Sequence, residues 1–425
     1  MLIEIHMIQN HSPANLNRDD LGVPKTCIFG GVTRARISSQ CLKRSIRRSP
    51  EFAAALDREG GIRTRRLANV LARVAYAGDF DMTPEKLTNL LQAQPVENEE
   101  INRLDAIASD ALQLGGVKAK SKKKSKSDEE NEGNGDDTSA EAHSKMLLFL
   151  STNTIGKMAK DLKDKPTAKG LAEKFKKYIA ENPAAPDIAL NGRMTEVAKK
   201  SVFSDLNFTV EAALSAAHAI STHAVINEVD YFTAADDLPG PDAGAAHVNE
   251  TMFNSACFYK HFIIDFKQLK KNLRNDGELA RKTVQCFLEA AAKANPSGKQ
   301  HAFAAFNLPD GVLVEVKTKS ATPVSYANAF ADPVPERAER ALIGESIARL
   351  GQYVHDIITG YGIEADRFWF SPNLLHPLTW IDKSRKEHEQ EQSVVGTNEF
   401  GQFGMFVQRV MEKVVSAEKS AEDAE

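Results

Sequence analysis

The chain has 425 residues and a mass of 46.6 kDa, enough for one large or two ordinary domains with a substantial core. Hydrophobic residues at 42 % and charged residues at 26 % are ordinary globular proportions, which exclude a fibrous or wholly disordered chain. The four cysteines (Cys27, Cys41, Cys257, Cys286) form no C-x-x-C pair and have no histidines at ligand spacing, so neither a disulfide framework nor a zinc site is expected and a reducing cytoplasm fits best.

The N-terminus lacks a basic stretch followed by an apolar one, and no run of about 18 apolar residues occurs, so neither export nor membrane spanning is expected. The net charge of −4 is unevenly spread: residues 1 to 73 carry +7 and the remainder −11. A basic region on an acidic body is a candidate footprint for a polyanion, although charge alone favours a solvated, arginine-rich helix face.

In chain order, residues 2 to 8 read as a first strand and Asn10 to Lys25, with Pro13 and Pro24, as a loop. After Gly30-Gly31, the stretch Val32 to Ile37 would place Arg34 and Arg36 on one face if extended. Ser38 or Ser39 can cap the following helix, whose Leu42 and Ile46 face a core while Lys43, Arg44, Arg47 and Arg48 make the other side cationic. Residues 63 to 113 have helical spacing. Gly115 to Ser144 is low-complexity, six lysines followed by seven acids, and reads as a disordered surface insertion. Its lysine block can meet nucleic acid or be neutralised by the acids beside it.

Helical patterns resume from Lys145 to about Asn182. The alanine-rich run Val210 to Ile226 reads as a buried helix, and Asn227 to Thr233 with Ala246 to Met252 as the arms of a long hairpin. Strands are expected at Ser255 to Phe266, Gln300 to Phe306 and Gly311 to Lys317, and helices at Gly277 to Lys293 and Pro335 to Thr359. From Ser416 the tail is charged and expected to fray.

No P-loop, nucleophile elbow, zincin motif or dinucleotide fingerprint occurs. His218 and His223 would sit about 140° apart around a helix, which does not favour a shared metal. Asp236-Asp237 beside Pro239 reads as a turn. The segment Arg18 to Arg48 stands out, with eight cations, two acids and the polar Ser38, Ser39 and Gln40 at a helix start. Helix N–H groups with flanking Arg and Lys favour an anion, and a nucleic-acid backbone fits.

The wording of that segment, Asn10-His-Ser-Pro, Leu16-Asn-Arg-Asp-Asp20, Ile28-Phe-Gly-Gly31 and Arg34 through Arg44, resembles the N-terminal signature of the CasC family, the backbone subunit of the type I-E CRISPR surveillance complex Cascade. The likeness continues in order at Ile188 to Met194, Ser215 to His223, Asp230 to Leu238, Gly244 to His247, Lys299 to Asn307 and Tyr326 to Phe330. It implies an α+β fold: an RRM/ferredoxin-like palm with an inserted helical finger region and a protruding thumb hairpin.

On that reading residues 1–57 and 253–415 form the palm, 58–209 the fingers, 210–224 a palm helix, 225–252 the thumb and 416–425 a disordered tail. The resemblance further implies copies stacked along a CRISPR RNA, each thumb displacing every sixth nucleotide while the rest pair with target DNA. Other Cascade subunits and a recruited helicase-nuclease would be partners, with no membrane, no cofactor and no metal.

Arg18, Lys25, Arg34, Arg36, Ser38, Ser39, Gln40, Lys43 and Arg44 are the expected guide-backbone contacts, since phosphate contacts position a strand without reading it. Arg193 and Met194 are expected against displaced or neighbouring bases. Phe232 and Leu238 serve either as thumb wedges or as hairpin packing. No catalytic residue is expected. The related type III backbone subunits cut RNA with a thumb aspartate and a metal, so Asp230, Asp236 and Asp237 keep a ribonuclease as the alternative; a single-strand RNA chaperone of RRM type is a third reading.

Overall fold

A computed structural model describes the chain apart from residues 56–59, 93–97, 118–146, 165–166, 182–184, 195–200, 207–208, 235–246, 320–321, 336–340, 382–390, 395–400 and 423–425. The lysine-acid insertion from 118 onward, Leu238, Asp236 and Asp237 therefore lie outside the described residues. In chain order the first elements are β1 (Leu2–Ala14), β2 (Thr26–Phe29), β3 (Val32–Ile37), α1 (Ser39–Arg47) and α2 (Pro50–Ala55). Then come β4 (Gly61–Thr64), α3 (Leu67–Ala77), α4 (Pro84–Gln92), α5 (Glu99–Leu114), β5 (Leu148–Ser151), α6 (Thr152–Lys163), α7 (Ala168–Glu181) and α8 (Pro186–Asn191).

The second half of the chain supplies β6 (Leu214–Ala216), β7 (Ala219–Ser221), β8 (Glu228–Ala234), β9 (His247–Asp265), α9 (Phe266–Asn272), α10 (Gly277–Lys293), α11 (Gln300–Phe303) and β10 (Gly311–Lys317). A 3₁₀ turn (Ala327–Phe330), α12 (Ala341–Tyr361), β11 (Asp366–Phe370), β12 (Thr379–Ile381), β13 (Glu391–Ser393) and α13 (Phe403–Glu422) complete it. The architecture is mixed α+β, in two units: Met1–Ala55, Leu214–Lys267 and Gly277–Glu425 make the first, Leu56–Ala213 with Gln268–Asp276 the second.

The first unit is built on an antiparallel sheet in the order β11-β10-β1-β9-β7-β3-β2, with β6 and β8 also pairing with β9. Strand β1 lies between β9 and β10, which buries nearly all of it. Alternate side chains serve opposite faces. Ile3, Ile5 and Met7 point one way with Phe262, whose ring meets Phe287 of α10 edge-on at 5.5 Å. Ile8, Tyr259, Leu313 and Trp369 point the other way, under Tyr326, Phe330, Ile347, Leu350 and Val354. Burial on both faces is why β10 reads Gly-Val-Leu-Val-Glu-Val-Lys rather than as a polar-apolar alternation.

That second face also holds ionisable groups. Register places Glu4 opposite Glu315 and His6 opposite His261. Two facing carboxylates repel unless cations intervene, and here Lys317 Nζ donates to Glu4 Oε1 at 2.9 Å while Arg367 Nε donates to Glu315 Oε1 at 2.6 Å. The Tyr326 hydroxyl donates to Glu315 Oε2 at 3.0 Å, and the Val324 N–H reaches the Glu4 carboxylate. Burial alone would raise the Glu315 carboxyl, but the His6 imidazole and the Arg367 and Lys317 cations outweigh it and hold it well below the usual carboxylate range. Burial pushes His6 down to about 4, the neighbouring His261 adding to the shift.

The second unit packs α3, α5, α6 and α7 around Val70, Leu71, Val74, Leu104, Ala108, Ile155, Met158, Leu162, Leu171 and Phe175, all buried. Its helices start on conventional caps: Asn98 accepts from Glu100 N before α5 and Ser151 from Thr154 N before α6.

Several sequence expectations differ from what is seen. The alanine-rich run 210–226 is not a helix: β6 and β7 pair with β9 in it, Leu214 facing Ile264 and Ile220 facing Tyr259. Ladder pairing to a buried strand here outweighs local helix preference. His218 and His223 thus belong to no common helix. The expected strand at Gln300 to Phe306 is instead the short α11 and a loop, β4 and β5 interrupt the expected helical stretches, and β1 runs on through Pro13 to Ala14 past an irregularity in its pairing with β9. The tail is helical to Glu422, because Val407, Val410, Val414 and Ala417 fall on one buried stripe and Glu418 accepts from Arg281 at 2.5 Å.

Both His6 and Glu315 titrate lower when folded than when unfolded, so the unfolded chain takes up protons first and stability is lost as pH falls. The denaturant midpoint is expected to decline steadily from about pH 6.5 downward. Equilibrium unfolding at stepped pH checks this, and a midpoint unchanged between neutrality and pH 4 would show that the buried array carries no such linkage.

Candidate nucleic-acid interface

The site grows from the turn between β3 and α1. Ser38 is extended at φ −67° and ψ 146°, and its hydroxyl accepts from the Cys41 N–H at 3.3 Å, so it is the N-cap of α1. Its own N–H donates to Asn17 Oδ1 at 2.9 Å, tying the helix start to the β1–β2 connection. That connection is folded by Asp19, whose Oδ1 accepts from the N–H groups of Leu21 and Val23. Leu42 and Ile46 anchor α1 in the core, which leaves Gln40, Arg44 and Arg48 exposed.

Between the connection, α1 and the Ser297-Gly298 turn lies a groove of about 460 Å³. Arg18, Asp19, Asp20, Cys41, Arg44 and Ser45 line it. Among the described residues neither Arg18 nor Arg44 makes a side-chain hydrogen bond or ion pair, so both guanidinium groups face solvent at the groove. Gly298 has to be glycine there, because a Cβ would lie 2.4 Å from the Leu16 carbonyl oxygen. Burial pushes the Cys41 thiol up, away from nucleophilic reactivity.

The other expected contacts divide. Lys25, Arg36, Ser39 and Lys43 are half-buried. Arg36 Nε donates to Thr26 O at 3.2 Å and Nη1 meets His218 Nδ1 at 3.0 Å, while Lys43 Nζ donates to Leu214 O at 3.1 Å.

Arg34 corrects the expectation outright. It is fully buried, and its guanidinium donates to the carbonyls of Phe29, Ser221 and Phe330 at 3.1, 3.2 and 2.7 Å. It fastens the β2–β3 hairpin to β7 and to the 3₁₀ turn, and no phosphate can reach it. Gly30, at φ +61°, lies against the Ala331 carbonyl so closely that no side chain fits, which keeps the hairpin seated over this arginine. Ser38, being buried as a cap, offers its hydroxyl inward as well.

Arg193 and Met194 belong to the second unit. Gly192 takes φ 76° and ψ 168°, a conformation essentially reserved for glycine, and turns the chain so that Arg193 pairs with Val210 and its Nη1 donates to Phe149 O at 3.1 Å. Burial lowers the Arg193 pKa, and Met194 is 85 % exposed.

In the hairpin, β8 pairs with β9 from Glu228 opposite Phe253 to Ala234 opposite His247. Phe232 is 49 % exposed and Tyr231, which the sequence reading passed over, 70 %. They alternate onto opposite faces, so one strand offers an aromatic ring to each side. Asp230 on the same strand is exposed, and no metal-ligand group among the described residues includes it.

Among the described residues only Glu4, His6 and His261 bring ligand atoms within 4.8 Å of one another. The two imidazoles are stacked 4.4 Å apart and 8° from parallel, their Nε2 atoms lie 3.7 and 3.8 Å from Glu4 Oε2, and Lys317 donates to the other carboxylate oxygen, Oε1.

Residues 3–390 match the CT1975-like protein family. The chain belongs to this family. No curated protein matches it. Among solved structures, a chain of a "CRISPR RNA-guided surveillance complex, pre-nicking" is similar over 97 % of this chain and 100 % of its own, at 24 % identity and a TM-score of 0.67. A chain of a "CRISPR RNA-guided surveillance complex" covers the same shares at 21 % identity and a TM-score of 0.52. At these identities the likeness is one of fold, and the family member described here shares it nearly end to end. No helix among the described residues is long and apolar enough to cross a membrane.

Replacing Arg34 by Met should leave the buried Ser221 and Phe330 carbonyls and the part-buried Phe29 carbonyl without their donor and lower stability by about 2–4 kcal/mol. Urea titration of the variant measures this; a stability equal to wild type would return Arg34 to the list of surface cations.

Proposed function

We propose that this protein is a CRISPR-RNA-binding backbone subunit of a Cascade-like surveillance complex, of type I-E kind, which holds guide phosphates and leaves base edges free for target DNA. The observation that carries the reading is the solvent-facing pair Arg18 and Arg44 along one groove beside the N-terminus of α1. Helix N–H groups and guanidinium groups together suit a phosphate, and their contacts do not depend on base identity. Its membership of the family and its fold likeness to chains of CRISPR RNA-guided surveillance complexes support the same assignment.

On this proposal copies of the chain line up along one guide in the cytoplasm with other subunits of the complex, and the β8–β9 hairpin crosses the guide. Tyr231 and Phe232 then stand where a displaced base would meet an aromatic ring. Target cleavage falls to a recruited helicase-nuclease and the subunit itself performs no catalytic step. Incubating the purified complex with complementary RNA and Mg²⁺ should leave the RNA whole, and cuts at regular spacing would assign a ribonuclease instead.

Purification from its native host followed by sequencing of bound RNA should recover CRISPR transcripts; a nucleic-acid-free particle would defeat the proposal. Each phosphate neutralised on a single strand contributes about −0.7 to the salt slope. The double substitution Arg18→Ala with Arg44→Ala should therefore flatten the slope by about 1.4 and weaken all guide sequences alike. Fluorescence anisotropy across a salt series reads both effects.

A further inference from the structure

The loop after α11 presents an aromatic ring to solvent under backbone strain. Lys299 and Ala304 both have positive φ, 46° and 49°, in a region that costs a non-glycine residue free energy. Between and after them the loop is fixed at many points. Lys299 Nζ donates to Thr251 Oγ1 on β9, and the Phe303 ring lies 5.7 Å from Phe253. Gln300 Nε2 reaches the carbonyls of Pro296 and Ala305, Gln9 Nε2 donates to Asn307 O at 2.7 Å, and Asn307 Oδ1 accepts from Ser12.

Within this frame the Phe306 N–H donates to Ala304 O at 2.8 Å, a tight turn centred on Ala305. The turn buries the small Ala305 completely and leaves Phe306 67 % exposed, with Leu308 beyond it 62 % exposed. Hydrophobic burial alone would favour the opposite arrangement, since a phenyl ring gains far more than a methyl group. A single exposed Phe on a free surface needs no explanation. One held outward by a clamped, strained loop does. The same connection begins at Ser297 and Gly298, which form a wall of the groove that holds Arg18 and Arg44.

We infer that Phe306 is a stacking platform for a nucleobase of the strand whose phosphates lie along that groove. An aromatic face accepts any base, so it adds affinity without adding sequence preference, as a guide holder requires. The strained loop supplies pre-organisation: the ring is already in place, and little side-chain freedom is lost on binding. This inference rests on the RNA-binding reading given above and adds one residue and one kind of contact to it.

The test uses the full chain and a fluorescein-labelled single-stranded RNA of about 12 nucleotides. Phe306→Ala is expected to weaken binding about tenfold at every salt concentration while leaving the salt slope unchanged, because no phosphate contact is lost. Phe306→Trp should restore the affinity and show added tryptophan emission that RNA quenches. Wild-type affinity in Phe306→Ala, or added emission in Phe306→Trp that RNA leaves unquenched, overturns the inference while the phosphate groove stands. A Phe306→Ala protein that changes sedimentation without RNA but binds RNA normally also overturns it, in favour of a contact between copies. If the wild-type chain binds no RNA, the groove assignment itself fails and this one with it.

Discussion

The pairing of β9 with β1 is the interaction from which the first unit is assembled. Eleven residue pairs join the two strands, from Leu2 opposite Asp265 to Ala14 opposite Asn254. On the other flank β9 receives β6 and β7, and towards its N-terminus β8. Because side chains alternate with a period of two, this one register fixes both layers at once. It sends Phe262 towards α10 and Tyr259 towards Tyr326, and it aligns His6 with His261. A slip by one residue would turn the apolar set and the charged set to the wrong faces together.

The charged layer on that sheet shows how such a register is tolerated. Glu4 and Glu315 sit across from each other in a dry interior, where an unpaired charge would be costly. Lys317, Arg367, Tyr326 and the Val324 N–H answer them almost atom for atom. A buried array of this kind is weak evidence for added stability, but it is demanding about geometry, and a sheet that carries it is held to one arrangement of β1, β10 and β11.

Much of this was legible in the sequence, for identifiable reasons. The helix Gly277–Lys293 and the strand Gly311–Lys317 have the expected bounds, since apolar spacing and their flanking breakers agree with the tertiary environment. The basic segment was visible from charge, and its helix start from Ser38. What the sequence did not show was direction of approach. Arg34 and Arg36 look equivalent in a strand, yet one is enclosed by Phe29, Ser221 and Phe330 while the other reaches Thr26 and His218. The partners of Arg34 lie up to 297 residues away, and no local pattern encodes them. The alanine-rich run misled for the same reason: its conformation is decided by β9, which follows it. Phe306 was hidden because Gln300 to Phe306 reads as a strand, whereas the chain there makes a short helix and a turn.

The length of β9 has a mechanical meaning. Its 19 residues run without interruption from the centre of the sheet into the β8–β9 hairpin, roughly 60 Å of extended chain. The hairpin is thus no flap on a hinge but a cantilever whose root is embedded in the most densely bonded part of the unit. A load applied along β8 is delivered straight to the ladder with β1, and bending the arm means disturbing that ladder.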